Sequence, residues 1–432
     1  GLWLRVFDKN GVLKQDVDVN AVAFLRQLSC LGKKLALLCS PERLKEAVKE
    51  YHDVERALRN PSHDWLSDKL SPRIGFHHVH FCDVLDVPLP LFGQPAIEDG
   101  DTINTRRLLA RCQQVADIIA SGLGPYDPIT YSEYRDSWNL GTGFRHGPGA
   151  VAEKTNKYYD KYRFTNWSNK LQNTFPFEEF GRISSDTRER PRNHEVPSRL
   201  IAVPKTAKTM RLIAAEPSEH QWCQQSIRAF LSERLKFLFA ENFICFEKQE
   251  LSQEMARVGS LDGSLATIDL KSASDRLSCY AVERLFRRNP TLLGALHAVR
   301  TRWLVDGVSG AKHHISLKKF ATQGTACTFP VQSIFFLCIA LGCVIEGDIT
   351  LPKIMKLRDR VRVYGDDIVI PSHGYDDVVN VLHCLGLQVN MDKSFHKGLF
   401  REACGGDFYM GHDVTPVKAT CLQSDGPATR QS

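Results

Sequence analysis

Ten residues near the C-terminal third constrain the fold most: Val361-Arg-Val-Tyr-Gly-Asp-Asp-Ile-Val-Ile370. Two short β-branched runs flank Gly365-Asp366-Asp367, a pattern that predicts a tight β-hairpin with its acids at the turn. A second β-forming run, Ser264-Leu-Ala-Thr-Ile-Asp-Leu270, carries Asp269 near its end. Leu277, Ala281, Val282, Leu285 and Phe286 follow at helical spacing. Asp269 is therefore expected where a strand gives way to a helix, a position that ligands and metals favour in sheets packed with helices. The plainer reading of each segment is an acidic turn. Two strand-borne carboxylate clusters, however, can converge on two Mg²⁺ ions about 3.5–4 Å apart, a device suited to phosphoryl transfer.

Short β-rich runs alternate with helical ones from residue 199 onward, so the fold class expected is α+β, a mixture of helix and sheet. Before that point the first 130 residues read as mostly helical, with Ile103, Leu108, Leu109, Val115, Ile118 and Ile119 marking one helix over 101–123. Residues 182–198 are polar and read as an exposed loop. At 432 residues the length suggests roughly three domains. The composition, 43% hydrophobic and 25% charged, excludes collagenous, mucin-like and wholly disordered chains. The longest apolar run, Ile334–Ile345, falls short of the ~20 residues a membrane span needs, so no membrane partner is expected. A net charge of +6 is compatible with a polyanionic partner. Thirteen cysteines without a C-x-x-C pair fit reduced thiols in a cytosol.

Other residues admit two readings each. Ser272-Ala-Ser-Asp275 fits a capping box, which would make Asp275 a helix cap. Gly324 and Thr325 precede a helix expected to start at Thr328, with Pro330 tolerated in its first turn; a glycine there either lets backbone approach a ligand or simply belongs to a loop. Lys205, Lys208 and Arg211 recur every third residue between the apolar runs Leu200–Val203 and Leu212–Ala215. They are either a solvated charge run or cations on a loop between core strands, able to neutralise phosphate. A helix over Tyr375–Leu385 and a strand over Leu387–Val389 lead to Lys393, a solvated lysine or a general acid. His78, His80 and Cys82 would share one face of a strand, but no fourth zinc ligand stands at useful spacing.

Taken in order, Asp269 with Asp275, Gln323-Gly-Thr-Ala-Cys-Thr-Phe-Pro-Val-Gln-Ser333 and Tyr364-Gly-Asp-Asp367 resemble motifs A, B and C of viral RNA-dependent RNA polymerases. The wording "IDLKSASDRLS" and "FREACGGDFYMGHDVTP" is similar to the replicase subunit of the positive-strand RNA bacteriophages of the levivirus group, a resemblance covering about residues 140–418. It implies a right-hand polymerase. The N-terminal 1–130 would be a helical fingers or extension region, and 131–260 fingers with motif F (199–216). The palm would span 261–399 with motifs A (264–276), B (320–345), C (361–370) and D (374–395), and 400–432 would hold the motif E hairpin and a short or truncated thumb. With Gly1 in place of a Met, the expectation is a fragment.

The resemblance further implies RNA-directed RNA polymerisation from NTPs on a single-stranded RNA template, in the cytoplasm of an infected bacterial host, with host translation factors as co-subunits. Asp269, Asp366 and Asp367 would hold two Mg²⁺ (or Mn²⁺), Asp269 and Asp366 being the more critical pair. Lys205, Lys208, Arg211, Gly324 and Thr325 would bind nucleotide, Asp275 would read the ribose 2′-hydroxyl, and Lys393 would protonate pyrophosphate. A Gly/Pro-fixed stretch, Phe144–Gly149, matches the same phage proteins. The competing expectations are a reverse transcriptase, which shares the palm and a Y-x-D-D turn, the replicase of capsidless fungal and mitochondrial relatives, and a non-catalytic RNA-binding homologue.

Overall fold

The computed structural model describes residues 1–33, 39–72, 78–85, 99–153, 161–182, 190–206, 209–310 and 314–419. Helix α1 (Val19–Cys30) opens on Asp18, whose carboxylate accepts from the Asn20 and Ala21 amides. Helix α2 (Pro41–Ala57) has Ser40 as its cap, proline in its first turn and Glu42 beside its N-terminus, three favourable starts at one site. Its inner face carries Val48, Tyr51, Val54 and Glu55. Helix α3 (Asp99–Leu123) matches the span expected for 101–123 and buries Leu108, Leu109, Cys112, Val115, Ile119 and Leu123, whereas Ile103, expected on the same face, is exposed in the first turns.

Strands β1 (Ser198–Thr206) and β2 (Thr209–Ala215) form an antiparallel hairpin, Leu200 opposite Ala214 and Val203 opposite Arg211. The run 199–216 is thus mostly strand, not a loop between strands. A register shift between Pro204 and Thr206 sets Lys205 in a bulge, a device that re-aims a side chain. Of the loop expected over 182–198, residues 183–189 lie outside the described residues, and the described part is irregular and exposed at Arg182, Arg190, Arg192, Asn193 and His194. Glu195 is an exception: it is buried, accepts from the Arg302 amide and from Arg302 Nε, both at 2.7 Å, and has Lys170 Nζ 3.6 Å away.

Helices α4 (Ser218–Phe239) and α5 (Glu250–Asp262) lead to β3 (Leu265–Ile268), which is buried throughout. Beyond Asp269 the chain makes β4 (Leu270–Lys271) before turning. The expected single helix is split into α6 (Ala273–Arg276) and α7 (Cys279–Leu285). Ser272 has φ +51° and makes no cap bond, so the capping box is not formed; the working cap is Ser278, which accepts from the Ala281 amide at 3.2 Å.

Strands β5 (Trp303–Asp306) and β6 (His314–Ser316) join the β1–β2 hairpin in the order β2-β1-β5-β6, with β1 and β5 parallel. Helix α8 (Thr328–Val344) starts where the sequence predicts and is buried nearly all round, as a helix apolar on every side must be. It packs against α3.

The predicted hairpin is β7 (Arg362–Tyr364) and β8 (Asp367–Pro371). β8 pairs antiparallel with both β7 and β3, Ile368 opposite Ile268 and Asp367 opposite Tyr364. Helix α9 (Tyr375–Cys384) and β9 (Gln388–Val389) follow, β9 pairing with β4. A last antiparallel sheet contains β10 (Phe400–Ala403), β11 (Gly406–Tyr409) and β12 (His412–Asp413).

One cluster of buried apolar side chains runs from Trp65 and Phe81 through α3 and α8 to Val389, so the regions divided at 130 and 260 share a core. The strand that would align His78, His80 and Cys82 is absent: Phe81–Leu85 is a 3₁₀ helix, and His80 Nδ1 accepts from the Cys82 amide at 2.9 Å. Among the described residues no helix is long and apolar enough to cross a membrane.

Candidate active site

Antiparallel register brings the two acidic segments together. The last pair of this ladder is Ile368 opposite Ile268, so Asp367 and Asp269 stand directly beyond it at the same end, one on each chain segment. The turn between β7 and β8 is Gly365-Asp366. Gly365 has φ +64° at the first central position, the type II′ hand that suits the twist of a hairpin. A Cβ there would also stand 2.6 Å from the Phe329 ring, so only glycine fits. The Gly365 amide donates to Ser333 Oγ at 3.0 Å, which fastens the turn to α8.

Asp269 is held from the other side by a segment 121 residues further along the chain. Asn390 Nδ2 donates to Asp269 Oδ2 at 2.8 Å, the Asn390 amide donates to the Asp269 carbonyl at 2.8 Å, and the Asp269 amide donates to Ser394 Oγ at 3.1 Å. Lys393 Nζ lies 3.8 Å from Asp269 Oδ2 and 3.2 Å from Glu402 Oε1. Burial lowers the affinity of Lys393 for its proton, but Asp269 and Glu402 outweigh it and raise the net value.

Asp269 and Asp366 line an open cleft of about 610 Å³, together with Lys205, Arg211, Asp275, Thr325, Phe329, Asn390 and Lys393. Asp367 sits behind them and accepts a backbone hydrogen bond from Cys404, at the turn between β10 and β11. Burial raises all three carboxyls from their ordinary value. For Asp367 the neighbouring Asp366 and Asp269 add to burial, and its value climbs to about 7.

Among the described residues, no three His, Cys, Asp or Glu side chains converge as a ready-made metal cage. The two cleft-facing carboxylates are nonetheless the donor set Mg²⁺ takes when substrate phosphates and water complete its shell. Crowded carboxyls whose ionisation is opposed are also what a divalent cation would relieve, so the residues fit that metal.

The cations predicted on 199–216 divide. Lys205 and Arg211 reach the cleft, where the surrounding protein first and Arg211 second lower the Lys205 ammonium; Lys208 lies outside the described residues. Thr325 lines the cleft and hydrogen-bonds the fully buried Glu216 carboxyl, which also accepts from Thr301 Oγ1 and, at 3.2 Å, from Thr322 Oγ1. Gly324 faces the backbone of β2: a Cβ there would lie 1.6 Å from the Ala214 carbonyl oxygen.

Asp275 also lines the cleft and takes a bond from Lys319 Nζ at 3.3 Å. Asn390, Ser394, Glu402, Lys319 and Glu216 escape sequence reading, because each acts across a long separation and none sits in a recognisable spacing. The Phe144–Gly149 stretch stands apart as an aromatic anchor, Phe144 stacked on Phe180 at 4.5 Å and His146 buried against Trp222.

Comparison with known sequences decides the family. The sequence model of "RNA replicase, beta-chain" matches residues 180–421, more than half of the chain and the whole acidic site. The chain belongs to the RNA replicase beta-chain family. Within it, the chain is 35% identical over 218 residues to the RNA-directed RNA polymerase beta chain of Escherichia phage MS2, covering 50% of this chain and 36% of that protein. Against the RNA-directed RNA polymerase subunit beta of Qbeta virus (strain MX1) it is 34% identical over 222 residues, covering 51% and 35%. The match thus spans about a third of the length of these relatives. A looser likeness, with TM-score 0.38 and 10% identity over 72% of this replicase-family chain and 28% of the other, is to the RNA-dependent RNA polymerase of BmCPV at elongation state.

Proposed function

We propose that the chain is the catalytic part of an RNA-directed RNA polymerase that copies a positive-strand RNA phage genome from NTPs. The observation carrying this reading is the antiparallel pairing of β3 with β8, which brings Asp269 beside the Gly365-Asp366-Asp367 turn at the floor of a cleft ringed by Lys205, Arg211 and Lys393. In hand-like terms, β3, β8 and β7 form the palm, β1 and β2 belong to the fingers as motif F, and β10 and β11 form motif E. Family membership favours RNA replication over reverse transcription.

Asp269 and Asp366, with Asp367 behind them, would hold Mg²⁺, or Mn²⁺ in its place. The metal would supply charge stabilisation of the phosphoryl oxygens. The chain's own residues do the rest. Lys205 and Arg211 neutralise the triphosphate, the arginine by a two-pronged grip and the lysine as a point charge. Thr325 and the backbone around Gly324 shape the nucleotide's seat. The 3′-hydroxyl oxygen of the growing strand bonds to the α-phosphorus as its proton passes to water in the open cleft, and the bond to pyrophosphate breaks. Lys393, kept protonated by Asp269 and Glu402, gives its proton to the departing pyrophosphate oxygen. Much of the rate would come from positioning and electrostatics.

Single-stranded RNA template, NTPs, host translation factors as co-subunits and the cytoplasm of an infected bacterium complete the proposal. The test is incorporation of labelled NTPs on an RNA template with Mg²⁺, run beside dNTPs. NTP-dependent, template-dependent product supports it; dNTP-preferring synthesis makes the chain a reverse transcriptase.

A further inference from the structure

A lysine buried without trace of solvent needs an explanation, since isolated ammonium groups are expelled from protein interiors. Lys319 is 0% exposed and stands just before the motif B loop. Its Nζ lies 3.3 Å from Asp275 Oδ1 and 3.7 Å from Glu55 Oε2, and 3.5 Å from the centroid of the Tyr51 ring. Tyr51 and Glu55 both come from α2, one turn apart on its buried face. Glu55 is itself anchored, its Oε1 accepting from the Lys318 amide. The ammonium is therefore enclosed by two carboxylates and an aromatic face, a set able to stabilise a buried cation.

The enclosure has a direction. Lys319 occupies one oxygen of Asp275, whereas Asp275 as a residue lines the cleft that holds Asp269 and Asp366. A carboxylate with one oxygen pinned from inside presents the other in a fixed orientation. We propose that Lys319, clamped by Glu55 and Tyr51 of α2, is a positioning residue that aims Asp275 at the ribose of the incoming nucleotide, so that a helix far outside motifs A to E sets sugar selectivity. The inference rests on the polymerase reading above and names how its site tells NTP from dNTP. The physics follows from hydrogen bonding: a site built around a hydroxyl rejects the analogue lacking it because its own polar group is left unpaired. Without the internal bond, Asp275 is free to turn and the penalty on the deoxy substrate shrinks.

The experiment compares kcat/KM for ATP and dATP on one RNA template, for the wild type, Lys319→Met, Asp275→Asn and the two combined, with thermal unfolding of each. Lys319→Met should lower the ATP/dATP ratio by about tenfold or more, and adding Asp275→Asn should lower it little further, because both changes break one device. Since Lys319→Met leaves two carboxylates uncompensated, Glu55→Gln with Lys319→Met provides a less charged background and should show the same loss of selectivity. A ratio that stays at the wild-type value in a folded Lys319→Met or Glu55→Gln/Lys319→Met protein overturns the positioning role and leaves the polymerase reading standing. Failure of the wild type to incorporate ATP overturns both.

Discussion

At the scale of single residues, the site is a set of carboxyls kept from ionising freely by burial and by one another. Asp367 is pushed to about 7, and Asp269 and Asp366 are raised. A carboxyl with a raised folded-state value holds its proton more tightly folded than unfolded, so its contribution is complete below about pH 4 and lost as pH climbs to about 7. Metal-free protein should therefore lose on the order of a few kcal/mol across that window, and Mg²⁺ added near pH 7 should restore it. Melting curves in chelator against pH check this; Asp367→Asn should flatten the dependence, and an unchanged slope would contradict the account. Asp275 yields a second prediction. Since Ser272 makes no cap with it, Asp275→Ala should cost more than the ~1 kcal/mol of a lost cap, because it strips a partner from buried Lys319. Urea unfolding measures the difference, and a loss well under 1 kcal/mol would return Asp275 to a minor structural role. The capping pattern misled because it is written in neighbouring residues, whereas the bond Asp275 makes is to a residue 44 positions away.

At the scale of elements, what the sequence made legible was local. The β-branched runs around Gly365 and the apolar run after Pro330 each form the element their pattern predicts, within a residue or two. The run 199–216 was readable only in part. Its cations suggested a loop, yet backbone pairing carries the strand to Thr206, and a bulge rather than a loop turns Lys205. Nor does any spacing signal that Gly324 lies against β2. That contact makes a test at this scale: Gly324→Ala places a Cβ 1.6 Å from the Ala214 oxygen, and β2 must move to admit it. Arg211 sits on the same strand, so the variant should lose about 1–3 kcal/mol of stability and show a raised KM for NTP. A variant with unchanged melting temperature and unchanged KM would mean the loop adapts without disturbing β2.

Across the whole molecule, N-terminal residues brace helix α7, which follows the segment carrying Asp269 and Asp275. Arg284 on α7 donates to the His80 carbonyl at 2.8 Å, Asp83 at 2.7 Å and Ser62 Oγ at 3.1 Å, while its neighbour Glu283 accepts from the Ser62 and His63 amides. Arg284 is 2% exposed, so Arg284→Met should destabilise by about 3–5 kcal/mol, with Glu283 left buried beside no cation. A loss below 1 kcal/mol in equilibrium unfolding would show the network to be slack. This tie, like the one from α2 to Asp275, joins segments some 200 residues apart, and no periodicity in either segment announces it. The central claim, that Asp269 and Asp366 form the metal-holding floor of a polymerase cleft, is tested most directly by Asp366→Asn, measured for NTP addition to an RNA primer–template and for RNA binding by gel shift. Loss of several kcal/mol of transition-state stabilisation corresponds to roughly a thousandfold or greater fall in the addition rate, with RNA affinity unchanged. Extension by the variant at a rate near that of the wild type would contradict the account.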